Sequence, residues 1–398
     1  MVIPWILIVV LAVSIGVTFI GRRLIRTSRL RKPWNIVAWS ALVFFFLLPI
    51  ASMSFIRRNG EMLPLLSWVT YVGLGFLSFV FFLLLLRDTF WFVAWSGKKA
   101  AGFFFTPKKE SDTSRRQFLL QSLNLGVVGA AALATSYGVY EARKTPGLVY
   151  LDIPIPRLPQ AFDGFRIVQI CDIHAGLTVD RAWIEKVVEE VQKQSPDLIA
   201  FVGDMVDGSV PALESTVAPF VELKAPFGKF FTTGNHEYYS GALPWIEHAH
   251  LLGFDVLMNE HRKIKKSGSA IILAGITDYT AGQFYKDQAS DPHKAVEGSA
   301  DGDVKIMMAH QPRSLYQFGD LKIDFTMHGH THGGQFIPWN LLATIGQPFI
   351  KGLHRWNDGL AYVSKGTGYW GPPVRLSARS EVTVFTLRKA SERSVKNS

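Results

Sequence analysis

Hydrophobic residues follow two different patterns along the chain, and the change between them lies near residue 147. Before it, four stretches of at least 21 residues contain no Asp, Glu, Lys or Arg: 1–21, 33–56, 62–86 and 117–140. A helix rises about 1.5 Å per residue, so each stretch is long enough to cross about 30 Å of hydrocarbon. The pattern therefore predicts an all-α transmembrane module over residues 1–146, with helices at about 2–21, 34–56, 63–86 and 118–140.

After residue 147 the apolar runs become short and are broken by Gly, Asp, Asn and Pro. Apolar residues recur on one helical face of residues 181–194, which predicts an amphipathic helix. A strand, a helix and a strand at this spacing indicate an α/β sheet. We expect a soluble domain over residues 147–390, followed by a tail at 391–398. The length and composition of the runs predict strands at 165–171, 198–202, 229–233, 270–276, 304–309 and 323–327.

Four other segments have a pattern of their own. Residues 141–150 are expected to form a linker, and the basic run at 262–266 a solvated turn between strands. The apolar segment 336–349 either packs against the sheet or forms a lip that dips toward a bilayer, and the sequence leaves both open. Residues 366–371 fit G-x-G-x-x-G, but two prolines follow where a dinucleotide site would need a helix, so no such site is predicted.

Charge gives the orientation of the membrane module. The chain has 42 Lys and Arg against 32 Asp and Glu, and the whole excess lies in residues 1–150. A nucleic-acid partner is therefore not expected, since the later region is close to neutral. The loops at 22–32 and 87–116 hold six and seven basic residues, whereas the loop at 57–61 holds two. The positive-inside rule then places the two richer loops in the cytoplasm and everything after residue 140 outside.

Residues 114–120, Ser-Arg-Arg-Gln-Phe-Leu-Leu, resemble the twin-arginine export motif and precede a moderately apolar Ala- and Gly-rich segment. The alternative is an ordinary flank of a membrane helix that carries two arginines. The resemblance implies the twin-arginine export machinery as a partner, and a domain that folds before it crosses the membrane. We therefore expect a multi-pass protein of a bacterial cytoplasmic membrane, with the soluble domain on the outer face and the fourth hydrophobic segment retained.

Polar residues follow five of the six predicted strands. Because ligand sites in open α/β sheets lie beyond the carboxyl ends of strands, we expect these side chains to converge. Nitrogen and oxygen ligands without cysteine suit Mn, Fe, Zn or Co, and their number is sufficient for two ions bridged by a carboxylate. In chain order they are Asp172 and His174; Asp204 and Asp207; Asn235, His236 and Glu237; His310; and His330 and His332.

These residues form five blocks that read D-x-H, G-D-x-x-D, G-N-H-E, a lone H and G-H-T-H, in order between residues 172 and 332. In this the sequence resembles the calcineurin-like metallophosphoesterases, and most closely the branch with G-H-T-H-G-G-Q and an N-terminal export signal. The resemblance implies a four-layer α/β/β/α sandwich over residues 147–390.

The resemblance also implies a role for each residue. One ion would be bound by Asp172, His174, Asp204 and His332, and the other by Asp204, Asn235, His310 and His330. Asp204 would bridge the ions, and His236 would stabilise the phosphoryl charge or protonate the leaving oxygen. Asp207 and Glu237 would orient imidazoles or loops. His328 is a candidate for the same task for a different reason, since it lies two residues before His330 at the same strand end. Arg375 would either meet substrate phosphate or pair with a carboxylate.

The expected activity is hydrolysis of a phosphodiester or phosphomonoester by a hydroxide that bridges two divalent ions (Mn, Fe or Zn). The export signal and the membrane helices favour a cell-envelope substrate over a cytosolic nucleotide. Two alternatives remain. One is a pyrophosphatase that acts on a lipid-linked nucleotide or a phospholipid, which would make the substrate lipid-linked. The other is a metal-binding scaffold without catalysis. The uncharged stretches of the membrane helices contain no Asp, Glu, Lys, Arg or His, which favours anchoring in the lipid bilayer over transport.

Overall fold

Long helices occupy the chain before residue 144, as the uncharged stretches predict. The computed structural model describes residues 2–59, 64–102, 113–176 and 178–390. The chain separates into two units, before and after residue 140. The helices of the first unit are α1 (Val2–Leu24), α2 (Lys32–Asn59), α3 (Pro64–Gly102) and α4 (Thr113–Arg143).

Three stretches of the described residues are long and apolar enough to cross a membrane: Lys32–Ala51, Leu65–Lys99 and Thr113–Arg143, with mean hydropathies of 1.9, 2.4 and 1.6. Helix α3 continues well beyond its predicted end at residue 86. Absence of charge marks the part that suits hydrocarbon, whereas backbone hydrogen bonding continues through charged residues. Arg87, for example, stays in the helix and donates to Asp88 at 2.8 Å. Residues 114–120 lie in the first turns of α4.

Two six-stranded sheets form the second unit. Its helices are α5 (Arg181–Lys193), α6 (Val210–Val217), α7 (Asn235–Ser240), α8 (Ala242–Leu251), α9 (Pro292–Ala295) and α10 (Trp339–Ala343). Its strands are β1 (Gly147–Ile155), β2 (Arg166–Ile170), β3 (Leu198–Val202), β4 (Lys229–Thr232), β5 (Asp255–Val256), β6 (Glu260–Lys266), β7 (Ser269–Gly275), β8 (Lys305–Met308), β9 (Phe325–His328), β10 (Gly352–Trp356), β11 (Gly359–Val363) and β12 (Glu381–Lys389). Short 3-10 helices lie at Gln160–Phe162, Ala218–Glu222, Ala281–Gln283, Lys286–Gln288, Pro312–Gln317 and His332–Gly334.

The strand order explains why the polar loops meet. The first sheet has the order β1-β12-β2-β3-β4-β5, and its strands β2 to β5 are parallel. The second has the order β10-β11-β9-β8-β7-β6, with β7, β8, β9 and β11 parallel. Parallel strands end at the same edge, so the loops after β2, β3, β4, β8 and β9 open at the carboxyl edges of the two sheets.

Alternating side chains build the layers. In β3, Ile199 and Phe201 belong to a core shared with α5, whereas Ala200 faces a second core shared with β7, β8 and β9. On the far side of the second sheet, a third core joins Met307 to α9. Helices therefore cover both outer faces of two stacked sheets, which confirms the four-layer prediction.

Two sequence interpretations of this unit were wrong in part. Residues 141–150 are not a linker, because α4 runs to Arg143 and β1 begins at Gly147. The basic run 262–266 is not a turn but most of β6, which pairs with β7 along its whole length. Its single apolar residue, Ile264, is 6% exposed, and the surrounding charges suit a strand at the edge of a sheet.

Candidate metal centre

Sharp turns at the strand ends bring the predicted residues together. Directly after β2, β3 and β9, residues with a positive φ turn the backbone away from the strand direction. This left-handed region is costly for most residues but is visited more readily by Asp and His than by other types. The residues are Asp172 (φ 54°), His174 (53°), Asp204 (56°), His330 (71°) and His332 (51°).

Two glycines allow the loops to approach one another. Gly203 and Gly234 precede Asp204 and Asn235, and a Cβ on Gly234 would collide with the carboxylate of Asp204. A Cβ on Gly203 would lie 2.7 Å from Nδ1 of His310. These two glycines of the motif therefore make room for the loops after β3, β4 and β8 to meet.

The first cluster contains Asp172, His174 and His332, whose potential ligand atoms all lie within 4.8 Å of one another. Nε2 of His174 lies 3.0 Å from Nε2 of His332, which is itself 3.6 Å from Oδ1 of Asp172. All three residues are buried. Two imidazole nitrogens that face each other beside a carboxylate form a set that suits a divalent cation.

The second cluster contains Asp204, His310 and His330 and meets the same distance limit. Nε2 of His310 lies 2.9 Å from Oδ2 of Asp204, and Nδ1 of His330 lies 2.9 Å from Oδ1 of Asn235. Oδ2 of Asp204 also lies 3.7 Å from Nε2 of His174. Asp204 therefore stands between the two clusters, where a bridging carboxylate would have to stand.

The chemistry of these donors fits metal ions. Asp172 is fully buried, and its Oδ2 has no hydrogen-bond partner among the described residues. An ionised carboxylate oxygen in such a place is costly unless a cation compensates for its lost hydration. The predicted ligand set offers imidazole, carboxylate and amide donors and contains no thiolate, so it suits Mn, Fe or Zn.

The charges of the clusters determine which ligands carry a proton before a metal ion binds. Burial lowers the pKa of His310, but Asp204 and Asp172 outweigh it and raise this pKa to about 10. Burial raises the pKa of Asp204, and His310 and His236 outweigh it, so that this pKa falls well below its ordinary value. Because a ligating imidazole must be neutral, we expect an ion that binds His310 to release a proton.

Asp207 connects the first cluster to His236. Its Oδ1 lies 3.0 Å from Nδ1 of His174 and 2.5 Å from Nδ1 of His236. The backbone N–H of His236 also donates to Oδ1 of Asp204 at 2.9 Å. Burial lowers the pKa of His236, but Asp207 and Asp204 raise it to about 9, which favours a protonated imidazole at neutral pH. The His236 side chain is 13% exposed, so part of this imidazole lies at the surface of the site.

Glu237 fixes loops. It is 1% exposed and accepts the backbone N–H groups of Gly234 (2.7 Å), Asp204 (2.9 Å) and Met205 (2.7 Å). Burial and the neighbouring Asp204 raise its pKa to about 8. Through these contacts Glu237 joins the loop after β3 to the start of α7.

Arg375 and His328 lie close to the clusters but have different surroundings. Arg375 is 1% exposed and donates to the carbonyls of His332 (3.0 Å) and Ala378 (3.1 Å), and it lies 3.1 Å from Nδ1 of His332. Among the described residues, Arg375 thus contacts a predicted ligand and backbone carbonyls rather than a carboxylate. His328 is fully buried, with its ring nitrogens 2.6 Å from the Ala309 carbonyl and 2.8 Å from the Thr326 hydroxyl.

Sequence reasoning missed a chain of polar groups beside the second cluster. Asp278 is fully buried and accepts two hydrogen bonds from the amide of Gln311, at 3.0 and 2.9 Å. Gln311 in turn accepts from Nε of Arg313 at 2.6 Å, and this guanidinium lies 4.5 Å from the ring centre of Tyr279. Asp278 follows β7 as the motif residues follow the other strands, which was a usable signal.

Sequence reasoning also missed the aromatic rings around His236. Tyr239 and Trp370 have ring centres 5.1 and 5.5 Å from that of His236. Gln335, the last letter of the G-H-T-H-G-G-Q block, binds the backbone of Trp370 through its amide. The sequence signal was available at Gln335 only, as a polar residue directly beside the metal-ligand block.

Comparison with known proteins gives consistent results. Residues 165–334 match the family described as "Calcineurin-like phosphoesterase". A protein named "Transmembrane protein with metallophosphoesterase domain" from Danio rerio is 36% identical over 274 residues, which is 67% of this chain but only 62% of that protein. A Bos taurus protein of the same name is 32% identical over 372 residues, covering 88% of this chain and 81% of its own length. An "Uncharacterized metallophosphoesterase" from Helicobacter pylori is 31% identical, with 89% and 90% covered.

Proposed function

Since this chain belongs to the calcineurin-like phosphoesterase family and is a metal-dependent phosphoester hydrolase, we propose that it binds two divalent ions and hydrolyses a phosphodiester or phosphomonoester of the cell envelope. The observation that supports this most directly is the position of Asp204 between two clusters that each offer imidazole and carboxylate donors. Asp172, His174 and His332 would hold one ion with Asp204. Asn235, His310 and His330 would hold the other, again with Asp204, which would bridge the two ions.

Bound there, the two ions would supply a nucleophile from water and neutralise charge on the phosphoryl oxygens. The protein supplies the acid. Nδ1 of His236 contacts Asp207, so Nε2 is the atom that can reach a substrate and donate a proton to the leaving oxygen. Asp207 holds this imidazole in place and favours its charged form. Glu237 keeps the backbone around Asp204 and Gly234 fixed.

We further propose that three or more helices anchor the chain in a bacterial cytoplasmic membrane and that the second unit lies on the outer face. The candidate spans and the relatives named as transmembrane proteins support the membrane association. The basic loops at 22–32 and 87–116 support the orientation. Residues 114–120 support export through the twin-arginine machinery.

A lipid-linked substrate is a second candidate, and one observation favours it. The apolar segment that follows the His332 loop exposes Leu341 by 62% and Ile345 by 73%. Apolar side chains this exposed beside a site are typical of contact with lipid or with an apolar substrate. A pyrophosphate bond of a lipid-linked nucleotide, or a phospholipid, would then be cleaved by the same groups.

The test uses the full chain in detergent, stripped of metal and reloaded with Mn. We expect metal-dependent hydrolysis of bis(p-nitrophenyl) phosphate or of p-nitrophenyl phosphate, and the preferred ester would narrow the substrate class. His236→Ala should lower the rate by about 10²- to 10⁴-fold with metal retained. Asp204→Asn should abolish turnover and lower the metal content. The exposed residues Asp287 and His250 provide the controls Asp287→Asn and His250→Ala.

Two outcomes would contradict the proposal. Two ions per chain without turnover of these esters or of lipid-linked esters would favour the non-catalytic scaffold. Failure of the full chain to bind Mn, Fe or Zn would show that the ligand assignment is wrong.

A further inference from the structure

Two half-exposed aromatic rings stand at the mouth of the site. Tyr239 is 56% exposed and Trp370 is 50% exposed. Each meets the imidazole of His236 edge to face, at interplanar angles of 66° and 72°. Large aromatic side chains that remain exposed around a polar site are unusual in a water-facing domain and are typical of places where a ligand covers them.

The position of Trp370 is set by its backbone. The amide of Gln335 donates to the Trp370 carbonyl at 2.9 Å and accepts from the Trp370 N–H at 3.0 Å. The same amide donates to the carbonyl of Pro372 at 3.0 Å, and Gln335 itself is only 7% exposed. A buried amide that satisfies both backbone groups of one residue fixes that residue as a strand partner would. The indole is therefore held beside His236 although half of its surface is free.

A third ring extends the apolar surface on the Tyr239 side. Phe284 is 46% exposed, and its ring centre lies 5.8 Å from that of Tyr239. The rings of Tyr239 and Phe284 are tilted by 56° and both remain exposed. Since Tyr239 also contacts His236, this aromatic pair bears on what the substrate carries beyond its phosphate.

We propose that Tyr239 and Trp370 form the subsite for the leaving group, and that this leaving group carries a planar ring system. The inference rests on the proposed function, in which a water oxygen bonds to phosphorus, the bond from phosphorus to the leaving oxygen breaks, and that oxygen takes a proton from His236. The leaving oxygen must then lie against the His236 ring. The rings that contact His236 therefore contact the group attached to that oxygen. Gln335 is a positioning residue for Trp370.

The test measures binding, so that it does not depend on turnover. The full chain in detergent, loaded with Mn, is titrated by calorimetry with 2-(2-naphthyl)ethylphosphonate and with butylphosphonate, which share the phosphonate but differ in the ring. Trp370→Leu and Tyr239→Leu should each reduce the naphthyl-to-butyl affinity ratio by about tenfold, since leucine keeps apolar area but cannot stack. Tyr239→Phe should keep the ratio. Tyr316→Leu, at a 64% exposed tyrosine that contacts Trp356, is the matched control and should leave both affinities unchanged.

Gln335 is tested by a double-mutant cycle. Gln335→Asn keeps the amide group but is too short to hold Trp370. It should lower the ratio as Trp370→Leu does, and the double variant should lower it no further. Additive losses would overturn the positioning role. An unchanged ratio in both leucine variants, with thermal unfolding as in the wild type, would overturn the subsite.

The two proposals can fail separately. If the Mn-loaded protein hydrolyses no phosphoester but the ratio still depends on Trp370 and Tyr239, the subsite stands and the proposed reaction does not. If the protein hydrolyses esters of ethanol and of 2-(2-naphthyl)ethanol equally well in the wild type and in both leucine variants, the reaction stands and the subsite is wrong.

Discussion

Asp207 illustrates how one carboxylate can serve two imidazoles. Its Oδ1 reaches Nδ1 of both His174, in the first cluster, and His236, outside it. Burial raises the pKa of Asp207, but the two histidines outweigh it and lower this pKa well below its ordinary value. The carboxylate therefore stays charged, orients both rings and leaves their Nε2 atoms free for ion and substrate.

We predict that Asp207→Asn lowers metal-dependent hydrolysis by about 10- to 100-fold, the range typical for groups that orient ligands. An amide keeps the size of the side chain but loses the charge that raises the pKa of His236. Because His236 acts as a proton donor, the rate falls on the alkaline limb of the pH–rate profile as this imidazole loses its proton. This limb should therefore move to lower pH in the variant, and Glu185→Gln, at an exposed carboxylate paired with Arg181, is the control. A rate within twofold of the wild type would show that Asp207 orients neither ring.

At the scale of single residues, the motif residues could be predicted because the five blocks combine ligand-forming residue types at fixed spacings and in a fixed order along the chain. Every residue of the five blocks lies at the carboxyl edges of the sheets. Asp278 and Arg313 could not be connected in advance, because Gln311 joins them only through a contact made after folding. The role of Trp370 could not be predicted for a similar reason, since no local pattern relates it to Gln335, which lies 35 positions earlier.

Among the elements, β3 and β12 show which strands a hydrophobic pattern can predict and which it cannot. The buried parallel strands β2, β3 and β8 are short apolar runs, and both ends of each were predicted within one residue. β12 lies between β1 and β2 and contains polar residues, and Thr383 is nevertheless fully buried. Its pairing depends on chain segments more than 200 positions away in sequence, which no local pattern encodes.

The start of β4 allows a test of stability against pH. Lys229 is 8% exposed and donates to the carbonyls of Phe220 at 2.9 Å and Val221 at 3.1 Å, at the 3-10 helix Ala218–Glu222. Burial lowers its pKa to about 8, below the ordinary value of 10.5. Between these values the unfolded chain binds a proton that the folded chain does not, so stability rises with pH in this window and is constant below it.

We predict that the wild type gains a few degrees in melting temperature relative to Lys229→Met between pH 8 and pH 10.5. Differential scanning fluorimetry on the metal-free protein gives the difference at each pH. Lys263→Met, at an exposed lysine of β6, should show a constant difference over the same range. A constant difference for Lys229→Met as well would refute the burial argument.

In the whole molecule, the proposed membrane anchor and the proposed metal site lie in different parts of the chain. The basic excess lies before residue 150, whereas the clusters lie after residue 171. The helical part could be predicted because the length of uncharged runs is a property of the sequence. The four-layer part was implied by the resemblance of the five motif blocks to the family. The exact helix ends could not be predicted, since α3 continues through charged residues.

The orientation can be tested with introduced cysteines, because the one native cysteine, Cys171, is fully buried. We predict that Glu297→Cys, in the second unit, reacts with a membrane-impermeant maleimide in intact bacterial cells. Lys98→Cys, which is as exposed but lies in the segment assigned to the cytoplasm, should react only after the cells are opened. Reaction of Lys98→Cys alone in intact cells would invert the proposed topology.

The left-handed backbone at Asp172, His174, Asp204, His330 and His332 has a consequence for how this sequence can evolve. Each such position costs the fold of the order of 1 kcal/mol or more that glycine would recover. Natural selection thus has to maintain these side chains against mutations that would make the protein more stable. A lineage released from catalysis would be expected to replace them with glycine or asparagine early, and that replacement would mark the loss of activity before the fold itself changed.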